Sequence, residues 1–468
     1  MRTEDRVHLI GIGGIGMSGI ANLLLGLGKQ VTGSDMKESD IIIDLRKEGA
    51  EIKIGHKAEN VEGADVVVVS SAIPMDNPEI IEAKKQEIPI LKRAEMVAKL
   101  MTRQKGIAIS GTHGKTTTTA MVATILKENG LDPTILVGGK LSLINGNAKL
   151  GNGDYFVTEA DESDGSLLFM EPEIGVVTNI EADHLDYYES KEEIKETFIQ
   201  FLNKLPAQGR GIVCLDDKEI VDIVDEMGND LITYGLTAQA KLFAEQIELN
   251  HLGSNSSIYY QGKKLGNLNL RVPGKHNLAN ALAAISIGLH IGLQFKEIAS
   301  ALKKFRGVGR RFEQKGKYRG AVLVDDYAHH PTEIEATLSA AQNMDFKKVI
   351  AIFQPHRYSR TKFLLEEFSQ AFTDADEVII TDIYAAGEDP IPGVEAERVA
   401  NLINQRNFGK AKFISDLDDV YHYLQKKLQA GELLLTLGAG DVWKVGERLA
   451  ITDRKIQAEE TGELTMEV

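Results

Sequence analysis

The residues best suited to chemistry lie between Ser110 and Thr117, in the run SGTHGKTT, which we name the phosphate loop. Its two glycines free the backbone to curl around phosphate oxygens, and Lys115 supplies a positive charge for the β- and γ-phosphates of a nucleotide. The hydroxyl of Thr116 stands where such loops bind Mg²⁺. Ile109 occupies the place of the first glycine in the full Walker spacing, so the run predicts a compact variant of a nucleotide-binding loop.

Two acidic segments downstream could supply metal ligands. Glu159 ends the apolar run Phe156 to Val157, and ligands collect at the carboxyl ends of strands in open α/β sheets. His184 follows the apolar run Ile174 to Val177 and lies between two aspartates, so it is either a metal ligand or a histidine that binds nothing. We favour Glu159 as a ligand over three further acids that are also typical of a solvated surface loop: Asp161, Glu162 and Asp164.

A second glycine-containing run, Gly11 to Gly16, reads GIGGIG and is named here the glycine loop. It follows the strand-like run Val7 to Ile10, and its glycines let the backbone approach a diphosphate at the start of the next helix. Asp35 follows a second strand-like run, Gln30 to Thr32, at about the distance where a dinucleotide site has its ribose-binding acid. The pattern predicts diphosphate binding. NAD is one candidate, and other diphosphates fit as well, because backbone amides recognise phosphate and not nicotinamide.

The last third of the chain concentrates histidine and arginine after strand-like runs. The run Asp325 to Pro331 (DDYAHHP) ends one apolar run and starts a helix with proline in its first turn. Arg357 and Arg360 are spaced to share a helix face, where they could clamp a carboxylate. Asn277 opens an earlier helical stretch and could be its N-cap.

Short apolar runs alternate with amphipathic ones, which predicts parallel α/β architecture. Basic stretches near Met101 to Lys105 and Arg306 to Lys317 mark domain boundaries. We therefore expect three domains: a Rossmann-like N-terminal domain (1–104), a central P-loop ATPase domain (105–308) and a Rossmann-like C-terminal domain (309–468). Polar and apolar residues alternate from Leu242 to Val272, which adds small antiparallel strands to the parallel sheet of the central domain. The charged tail after Leu449 is expected to be a loose terminus.

Composition limits the classes of function. The chain has 468 residues and a net charge of −16, which disfavours general binding to nucleic acid. Cys214 is the single cysteine, so there is neither a disulfide framework nor a cysteine metal cluster. We read Cys214 as a buried strand thiol. Without a signal peptide or an apolar run of membrane-spanning length, we expect a cytoplasmic protein, no membrane partner, and a monomer or weak homodimer.

These motifs together resemble the Mur ligases of bacterial peptidoglycan assembly, and the resemblance covers nearly the whole chain. The segment His8 to Ala21 resembles the UDP-binding loop of that family. Segments that resemble its central ATPase domain are the phosphate loop, Glu159 to Asp164, Asp183 to Asp186 and His276 to Asn280. Segments that resemble its C-terminal domain are Arg311 to Glu313, Asp326 to Pro331 and Gln354 to Arg360.

The resemblance implies a reaction and a set of roles. ATP would drive amide-bond formation between the lactyl carboxylate of UDP-N-acetylmuramate and L-alanine, by way of an acyl phosphate. Lys115, Glu159 and His184 would be catalytic, and Mg²⁺ would be held by Thr116, Glu159 and His184. ATP would also contact Gly111, Thr112, His113, Gly114, Thr117, Asn277, Asn280, Arg311 and Asp326. The UDP-sugar would contact Gly11, Gly13, Gly14, Gly16, Asp35, Ser70, Ser71 and Arg93. The amino acid would contact His329, His330, His356, Arg357 and Arg360.

One departure and three alternatives accompany this interpretation. Some relatives carry a carbamoylated lysine after the metal histidine, whereas Ile199 occupies that place here, so we expect no such modification. Within the family, a related ligase attaches a preformed peptide to the same UDP-sugar. Outside it, the glycine loop alone fits an NAD-dependent dehydrogenase, and the phosphate loop fits a nucleotide-binding protein without catalysis.

Overall fold

The computed structural model describes residues 5–183, 187–227, 231–250 and 253–461, with side chains up to residue 458. Its contacts divide the chain into two compact units. The first consists of Met1–Ile247, Asn255–Leu270 and Asn277–Arg306, and the second of Glu248–Ser254, Arg271–His276 and Gly307–Val468. Among the helices of the described ranges, none is long and apolar enough to cross a membrane.

The first unit begins with a five-stranded sheet in the order β3-β2-β1-β4-β5, whose neighbouring strands all run parallel. Its strands are β1 (Arg6–Ile10), β2 (Gln30–Asp35), β3 (Glu51–Ile54), β4 (Val66–Val69) and β5 (Ile90–Lys92). Its helices are α1 (Ile15–Gly26), α2 (Asp40–Lys47), α3 (Pro78–Lys85) and α4 (Arg93–Met101). The strand order reverses between β1 and β4, and ligands bind at the carboxyl edge of such a switch point. The glycine loop follows β1 at that edge.

A ten-stranded sheet forms the rest of this unit, in the order β15-β14-β13-β12-β11-β10-β6-β9-β7-β8. Its strands are β6 (Lys105–Ser110), β7 (Thr134–Leu141), β8 (Gly146–Lys149), β9 (Tyr155–Glu159), β10 (Ile174–Val177), β11 (Arg210–Cys214), β12 (Leu231–Gly235), β13 (Leu242–Asn250), β14 (Gly253–Tyr260) and β15 (Lys263–Leu270). Its helices are α5 (Lys115–Glu128), α6 (Lys191–Asn203), α7 (Lys218–Ile223), α8 (Lys275–His290) and α9 (Phe295–Leu302).

The middle of that sheet positions the phosphate loop. Strand β6 lies between β10 and β9 and runs parallel to both, so the loops after all three strands meet at one edge. The turn between β14 and β15 consists of Gln261 and Gly262, both with positive φ, which is typical of a two-residue hairpin. This hairpin agrees with the strands predicted after Leu242. Cys214 ends β11 and is buried, and burial raises the pKa of its thiol to about 12, as for an inert strand cysteine.

The second unit contains a six-stranded sheet in the order β16-β17-β21-β18-β19-β20. Strand β16 pairs antiparallel with β17, and the other neighbours run parallel. The strands are β16 (Glu313–Tyr318), β17 (Ala321–Asp326), β18 (Lys348–Phe353), β19 (Glu377–Ile380), β20 (Ala411–Phe413) and β21 (Glu432–Leu437). The helices are α10 (Pro331–Gln342), α11 (Tyr358–Phe363), α12 (Leu365–Gln370), α13 (Ala396–Arg406), α14 (Leu417–Lys427) and α15 (Trp443–Thr461).

Cores cover both faces of this sheet, as its apolar strands require. One core includes Phe353 and Phe368, and the other includes Tyr318, Leu434 and Leu449. The α/β class and the predicted strands are therefore confirmed, with bounds that differ by a residue or two at most of them.

The expectation of a loose tail after Leu449 was wrong for residues 450–461, because α15 continues to Thr461, and residues 462–468 lie outside the described residues. The Thr452 hydroxyl lies 2.8 Å from the Tyr421 hydroxyl, and the Asp453 carboxylate accepts a 2.7 Å hydrogen bond from the Arg319 amide. These bonds are made by polar side chains, which an apolar pattern does not reveal.

Candidate active site

The phosphate loop connects β6 to α5 at the carboxyl edge of the central sheet, and two of its glycines are required by its shape. Gly111 has φ 122°, and a Cβ there would collide with the Thr178 side chain. Gly114 has φ 83°, and a Cβ there would lie 2.5 Å from the Asn280 amide oxygen. Side chains other than hydrogen are disfavoured at such φ values. The loop is therefore a narrow backbone cradle, which is the shape that phosphate binding needs.

Residues after β10 hold the loop in place. The amides of Thr112 and His113 donate to the carbonyl (3.1 Å) and the side-chain oxygen (2.8 Å) of Asn179. The Thr178 hydroxyl donates to the His113 carbonyl at 2.6 Å, and the Glu181 amide donates to the Thr112 hydroxyl at 2.9 Å. The described residues of this segment anchor the phosphate loop, and His184, the metal ligand predicted in the same segment, lies outside the described residues.

Lys115 forms a buried ion pair with Glu162. Its ammonium lies 2.8 Å from both carboxylate oxygens and also donates to the carbonyls of Gly111 (2.6 Å) and Thr112 (3.1 Å). Burial opposes the charge on Lys115, but the neighbouring carboxylates, with Glu162 first, outweigh it and raise the pKa of the ammonium. Burial also raises the pKa of Glu162 to about 7, although Lys115 lowers it. The charge predicted for phosphate binding is thus present and offset by one carboxylate.

Thr116 and Glu159 meet beside the cradle, as predicted. The Thr116 hydroxyl donates to Glu159 Oε2 at 3.1 Å, and the Gly138 amide donates to Oε1 at 2.6 Å. One hydroxyl and one carboxylate next to a phosphate cradle are the oxygen ligands that Mg²⁺ prefers, so this pair fits that ion. His184, the third predicted ligand, lies outside the described residues. Ile199 is 8% exposed on α6, in keeping with an apolar role.

Helix α8 brings Asn280 to the same site. Its amide oxygen lies so near Gly114 that a Cβ on that glycine would be 2.5 Å from it. Asn277 is 7% exposed and lies within α8, which begins at Lys275, so it is not the N-cap. Thr117 is buried in the first turn of α5. Of these residues, Asn280 lies against the phosphate loop and Thr117 is the last residue of that loop.

The glycine loop is held by residues at the end of β2. The amides of Gly11 (2.9 Å) and Ile12 (3.1 Å) both donate to the carbonyl of Ser34. Asp35 accepts from the Gly13 amide at 2.9 Å through Oδ2 and from the Met36 amide at 2.8 Å through Oδ1. Asp35 thus braces the glycine loop through Oδ2, while Oδ1 accepts from the amide of the residue that follows it.

Arg93 supplies a positive charge at the start of α1. A Cβ on Gly16 would lie 3.3 Å from the Arg93 side chain, which also forms a 3.4 Å ion pair with Asp161. A helix N-terminus and a guanidinium together favour an anion. Ser70 lies against Gly11, where a Cβ would be 3.4 Å from it, and Ser71 is exposed on the same loop. Gly14 caps α1 with an extended backbone.

In the second unit, aromatic rings and histidines gather after β17 and β18. The rings of His356 and Tyr384 stack with centroids 5.6 Å apart and an interplanar angle of 9°. His329 lies edge-on to His356 at 5.9 Å, and its Nδ1–H donates to the Tyr327 carbonyl at 3.0 Å. Burial, reinforced by two nearby arginines, lowers the pKa of His356 to about 4. This imidazole is therefore neutral at physiological pH.

The arginines of this cluster differ from expectation. Arg357 precedes α11 as its N-cap residue, with φ 70°, and Arg360 lies inside the helix and is buried. The prediction that both share a helix face was wrong, because the helix begins one residue after Arg357. Arg360 Nη1 lies 3.4 Å from His356 Nδ1, so the pair still belongs to the same cluster.

Two residues predicted to close on the nucleotide lie near each other in the second unit. Asp326 is buried at the end of β17 and accepts bonds from the Phe312 amide (2.9 Å) and the Ala328 amide (2.8 Å). Burial raises the pKa of Asp326 to about 6, while the nearby Arg311 charge lowers it. His330 is 5% exposed as the N-cap of α10, next to His329.

Sequence reasoning missed several residues of these sites. The sequence favours Glu159 over Glu162 as a metal ligand and predicts that Glu162 lies in a solvated loop. In the structure Glu162 is buried and paired with Lys115. Asn179, Ser34 and Tyr384 act through backbone contacts or ring stacking, for which no motif exists. One feature of the sequence could have indicated that Glu162 is part of the site. It lies three residues after Glu159, the acid at the end of β9 that was already predicted as a ligand.

Family models match the chain over most of its length. The Mur ligase middle domain matches residues 109–288. The catalytic domain of the Mur ligase family matches residues 6–105, and the glutamate ligase domain of Mur ligases matches residues 310–440.

Curated relatives and solved structures agree with these matches. A UDP-N-acetylmuramate–L-alanine ligase of Geotalea daltonii is 51% identical over 95% of this chain and 97% of its own length. A ligase of the same name from Pelotomaculum thermopropionicum is 49% identical over 96% of this chain and 98% of its own. A crystal structure of a UDP-N-acetylmuramate–alanine ligase from Thermotoga maritima has 30% identity and a TM-score of 0.83, covering 97% of this chain and 99% of that one. The chain belongs to the Mur ligase family.

Proposed function

We propose that this chain is an ATP-dependent ligase that joins the carboxylate of UDP-N-acetylmuramate to the amino group of L-alanine in peptidoglycan synthesis. The observation that carries the proposal is the 51% identity, over 95% of the chain, to a relative named for that reaction. The buried Lys115–Glu162 pair beside a phosphate cradle supports it, since the reaction needs a nucleotide site.

Lys115 would hold the phosphates of ATP. Its ammonium lies against the carbonyls of the phosphate loop, within reach of any phosphate seated in the cradle. A phosphate oxygen there would share Lys115 with Glu162, and the fixed positive charge would offset negative charge that gathers during phosphoryl transfer. The loop amides and the α5 N-terminus add partial positive charge at the same place.

Thr116 and Glu159, with His184, would hold Mg²⁺. A bound Mg²⁺ supplies charge neutralisation for phosphate oxygens and orients the reacting groups. Glu159 is already oriented by the Gly138 amide, and this bond leaves its other oxygen directed to Thr116. Asn277 and Asn280 would contact the nucleotide from α8, and Arg311 and Asp326 would contact it from the C-terminal domain.

The histidine cluster would receive the amino acid. The amine of alanine must lose its proton before it attacks an activated carboxylate, and a neutral imidazole can accept a hydrogen bond from that amine and orient it for attack. His356 is neutral because burial lowers the pKa of its imidazole. Arg357 and Arg360 would bind the carboxylate of alanine, and His329 and His330 would line the remaining wall.

The glycine loop would bind the UDP part of the sugar substrate. The N-terminus of α1 and the Arg93 guanidinium offer the diphosphate its charge complement, while Ser70 and Ser71 line the facing loop. We further propose domain boundaries at residues 1–104, 105–308 and 309–468, cytoplasmic location, and a monomer or weak homodimer.

The proposal is tested by phosphate release from ATP in the presence of Mg²⁺ and UDP-N-acetylmuramate, screened across small amino acids. We expect release to require all components and to be fastest with L-alanine. Glycine and serine are the informative competitors, because one small group changes binding by only about 1–3 kcal/mol. No release with any amino acid would overturn the proposal and favour a nucleotide-binding protein without catalysis.

A second candidate within the family attaches a preformed peptide to the UDP-sugar. A crystal structure of a murein peptide ligase from Psychrobacter arcticus has 25% identity and a TM-score of 0.72, covering 96% of this chain. The same assay with a tripeptide in place of alanine separates the two ligases. An NAD-dependent dehydrogenase leaves Lys115 and Glu159 without roles, and nicotinamide binding would be needed to revive it.

A further inference from the structure

The turn that carries Arg357 is strained and held by a neighbouring loop. Arg357 has φ 70° and ψ 140°, a conformation that residues with a side chain rarely adopt. Its amide donates to the carbonyl of Tyr384 at 2.9 Å, and the amide of Tyr384 donates to the carbonyl of Pro355 at 2.8 Å. Such strain persists only where surrounding contacts impose it. The loop after β19 makes those contacts.

Glu388 reinforces the same turn from the other side. Its carboxylate accepts from the Ser359 hydroxyl at 2.5 Å and from the Ser359 amide at 3.0 Å. Arg357 Nε lies 4.0 Å from the same carboxylate. Burial opposes the charge, but the Ser359 bonds and Arg357 outweigh it and hold the pKa of Glu388 below its usual range. The ionised carboxylate of Glu388 therefore contacts both the strained residue, Arg357, and Ser359 in the first turn of α11.

Tyr384 fixes the orientation of His356. The two rings stack almost parallel, and the Tyr384 ring rests against Gly440, where a Cβ would lie 2.7 Å from its Cγ. A side chain at position 440 would also collide with Gln354. Tyr384 is 41% exposed, so its remaining surface faces solvent beside the histidine.

We propose that Tyr384 and Glu388 are positioning residues for the amino-acid substrate, which hold the His356 ring and the Arg357 guanidinium in the arrangement that receives an amino acid. This inference rests on the proposed function, because it takes the histidine cluster as the amino-acid site. Neither residue belongs to a motif that the sequence analysis used. Their loop lies after the carboxyl end of β19, the edge where ligands bind in parallel sheets.

The test compares Glu388→Ala, Glu388→Gln and Tyr384→Leu with wild type. For Glu388→Ala we expect the KM for L-alanine to rise about tenfold, with a smaller fall in kcat and an unchanged KM for ATP. Glu388→Gln keeps one acceptor for Ser359 but loses the charge that faces Arg357, so its KM should rise about threefold. Tyr384→Leu should raise the same KM by about fivefold, since it removes the ring that stacks on His356.

The matched control is Glu377→Gln. Glu377 lies at the opposite end of β19 and also pairs with cations, Lys348 at 2.6 Å and Lys427 at 2.5 Å. We expect its KM for L-alanine to stay at the wild-type value. An equal rise in this control, or a parallel rise in the KM for ATP in the Glu388 variants, would show a merely structural role and overturn the proposal.

A readout without substrate separates this inference from the proposed function. Hydrogen exchange of the Arg357 amide reports its bond to Tyr384 directly, and it should be faster in Glu388→Ala than in wild type or Glu377→Gln. If wild type does not use L-alanine, only the proposed function is overturned. The KM for the amino donor that wild type does use would then be compared between wild type and the variants. Unchanged exchange and unchanged KM in Glu388→Ala would overturn the positioning role.

Discussion

The phosphate loop and the glycine loop both have the form of anion-binding loops, but their positive charge comes from different places. Each follows a buried parallel strand and opens a helix, and each has a glycine that the geometry requires. The phosphate loop carries its own cation, Lys115, which is matched by the buried carboxylate of Glu162. The glycine loop has no charged residue within it and relies on Arg93 from α4, whose side chain is 29% exposed.

Because of this difference, we expect substitutions in the two loops to have effects of different size on function. Charges in a buried site interact strongly and are costly to leave unpaired, whereas half-exposed pairs are weakened by solvent. Changes in the phosphate loop should therefore abolish function, and changes around the glycine loop should adjust affinity for the UDP-sugar.

The largest effect is expected from Lys115→Ala. We expect phosphate release to fall by about 10³-fold or more, because the charge that offsets the transferred phosphate is lost. Binding of UDP-N-acetylmuramate, measured by calorimetry, should remain close to wild type. The variant should also melt earlier, since Glu162 is left in a buried site without its ammonium.

A double variant, Lys115→Ala with Glu162→Gln, serves as the control. It removes the orphaned carboxylate, so the melting temperature should recover while phosphate release stays low. Recovery of turnover together with stability would contradict a direct role of Lys115 in catalysis.

The next effect is expected from Gly13→Ala in the glycine loop. Its Cβ would lie 2.9 Å from the Asp35 carboxylate that braces the loop, so the loop must shift. We expect binding of UDP-N-acetylmuramate to weaken about tenfold, with little change in the KM for ATP. Gly146→Ala is the matched control, because its Cβ would meet nothing nearer than 4.0 Å and its φ lies outside the left-handed region. Equal losses in both variants would argue against the brace.

The contrast also explains what could be predicted from sequence. Lys115 and Thr116 were predicted because a motif fixes the type and the spacing of residues within one loop, and Glu159 was predicted because it ends an apolar strand. Their meeting follows from strand order, since β6 lies beside β9. The α/β class followed from periodicity in the same way.

Residues that act across segments were harder to predict. Glu162 needed knowledge of burial, because an acid-rich run has the same composition whether solvated or paired. The left-handed φ of Arg357 depends on the loop after β19, which is far away in sequence, so spacing alone placed it wrongly on a helix. The ordered tail depended on polar bonds to α14 and to Arg319.

A third prediction concerns pH. The pKa of Glu162 is raised from 4.5 to about 7 by burial, so between these values the folded state binds more protons than the unfolded state. Stability attributable to this group should therefore fall as pH rises from about 4.5 to about 7. The raised pKa of Lys115 gives a stabilisation that is fully present below its unfolded value of 10.5 and is lost only at higher pH, so it stays constant across this window.

Thermal melts of wild type and Glu162→Gln test this prediction. The melting temperature of wild type, relative to the variant, should decline by about 2–4 °C or more across that range. Parallel curves for the two proteins would show that Glu162 does not change its protonation there.

The smallest effect is expected from Asp161→Asn, which tests whether the cation near the glycine loop depends on a paired carboxylate. Asp161→Asn removes the carboxylate that lies 3.4 Å from Arg93 and leaves the guanidinium for an anion at the start of α1. We expect UDP-N-acetylmuramate to bind about two- to threefold more tightly at low salt, because a pair this exposed is worth at most about 1 kcal/mol. The gain should shrink as salt is added, since exposed charges are screened. A gain that persists at high salt, or weaker binding in Asp161→Asn, would mean that Asp161 orients Arg93 and does not compete for it. The glycine loop would then depend on a paired cation just as the phosphate loop does.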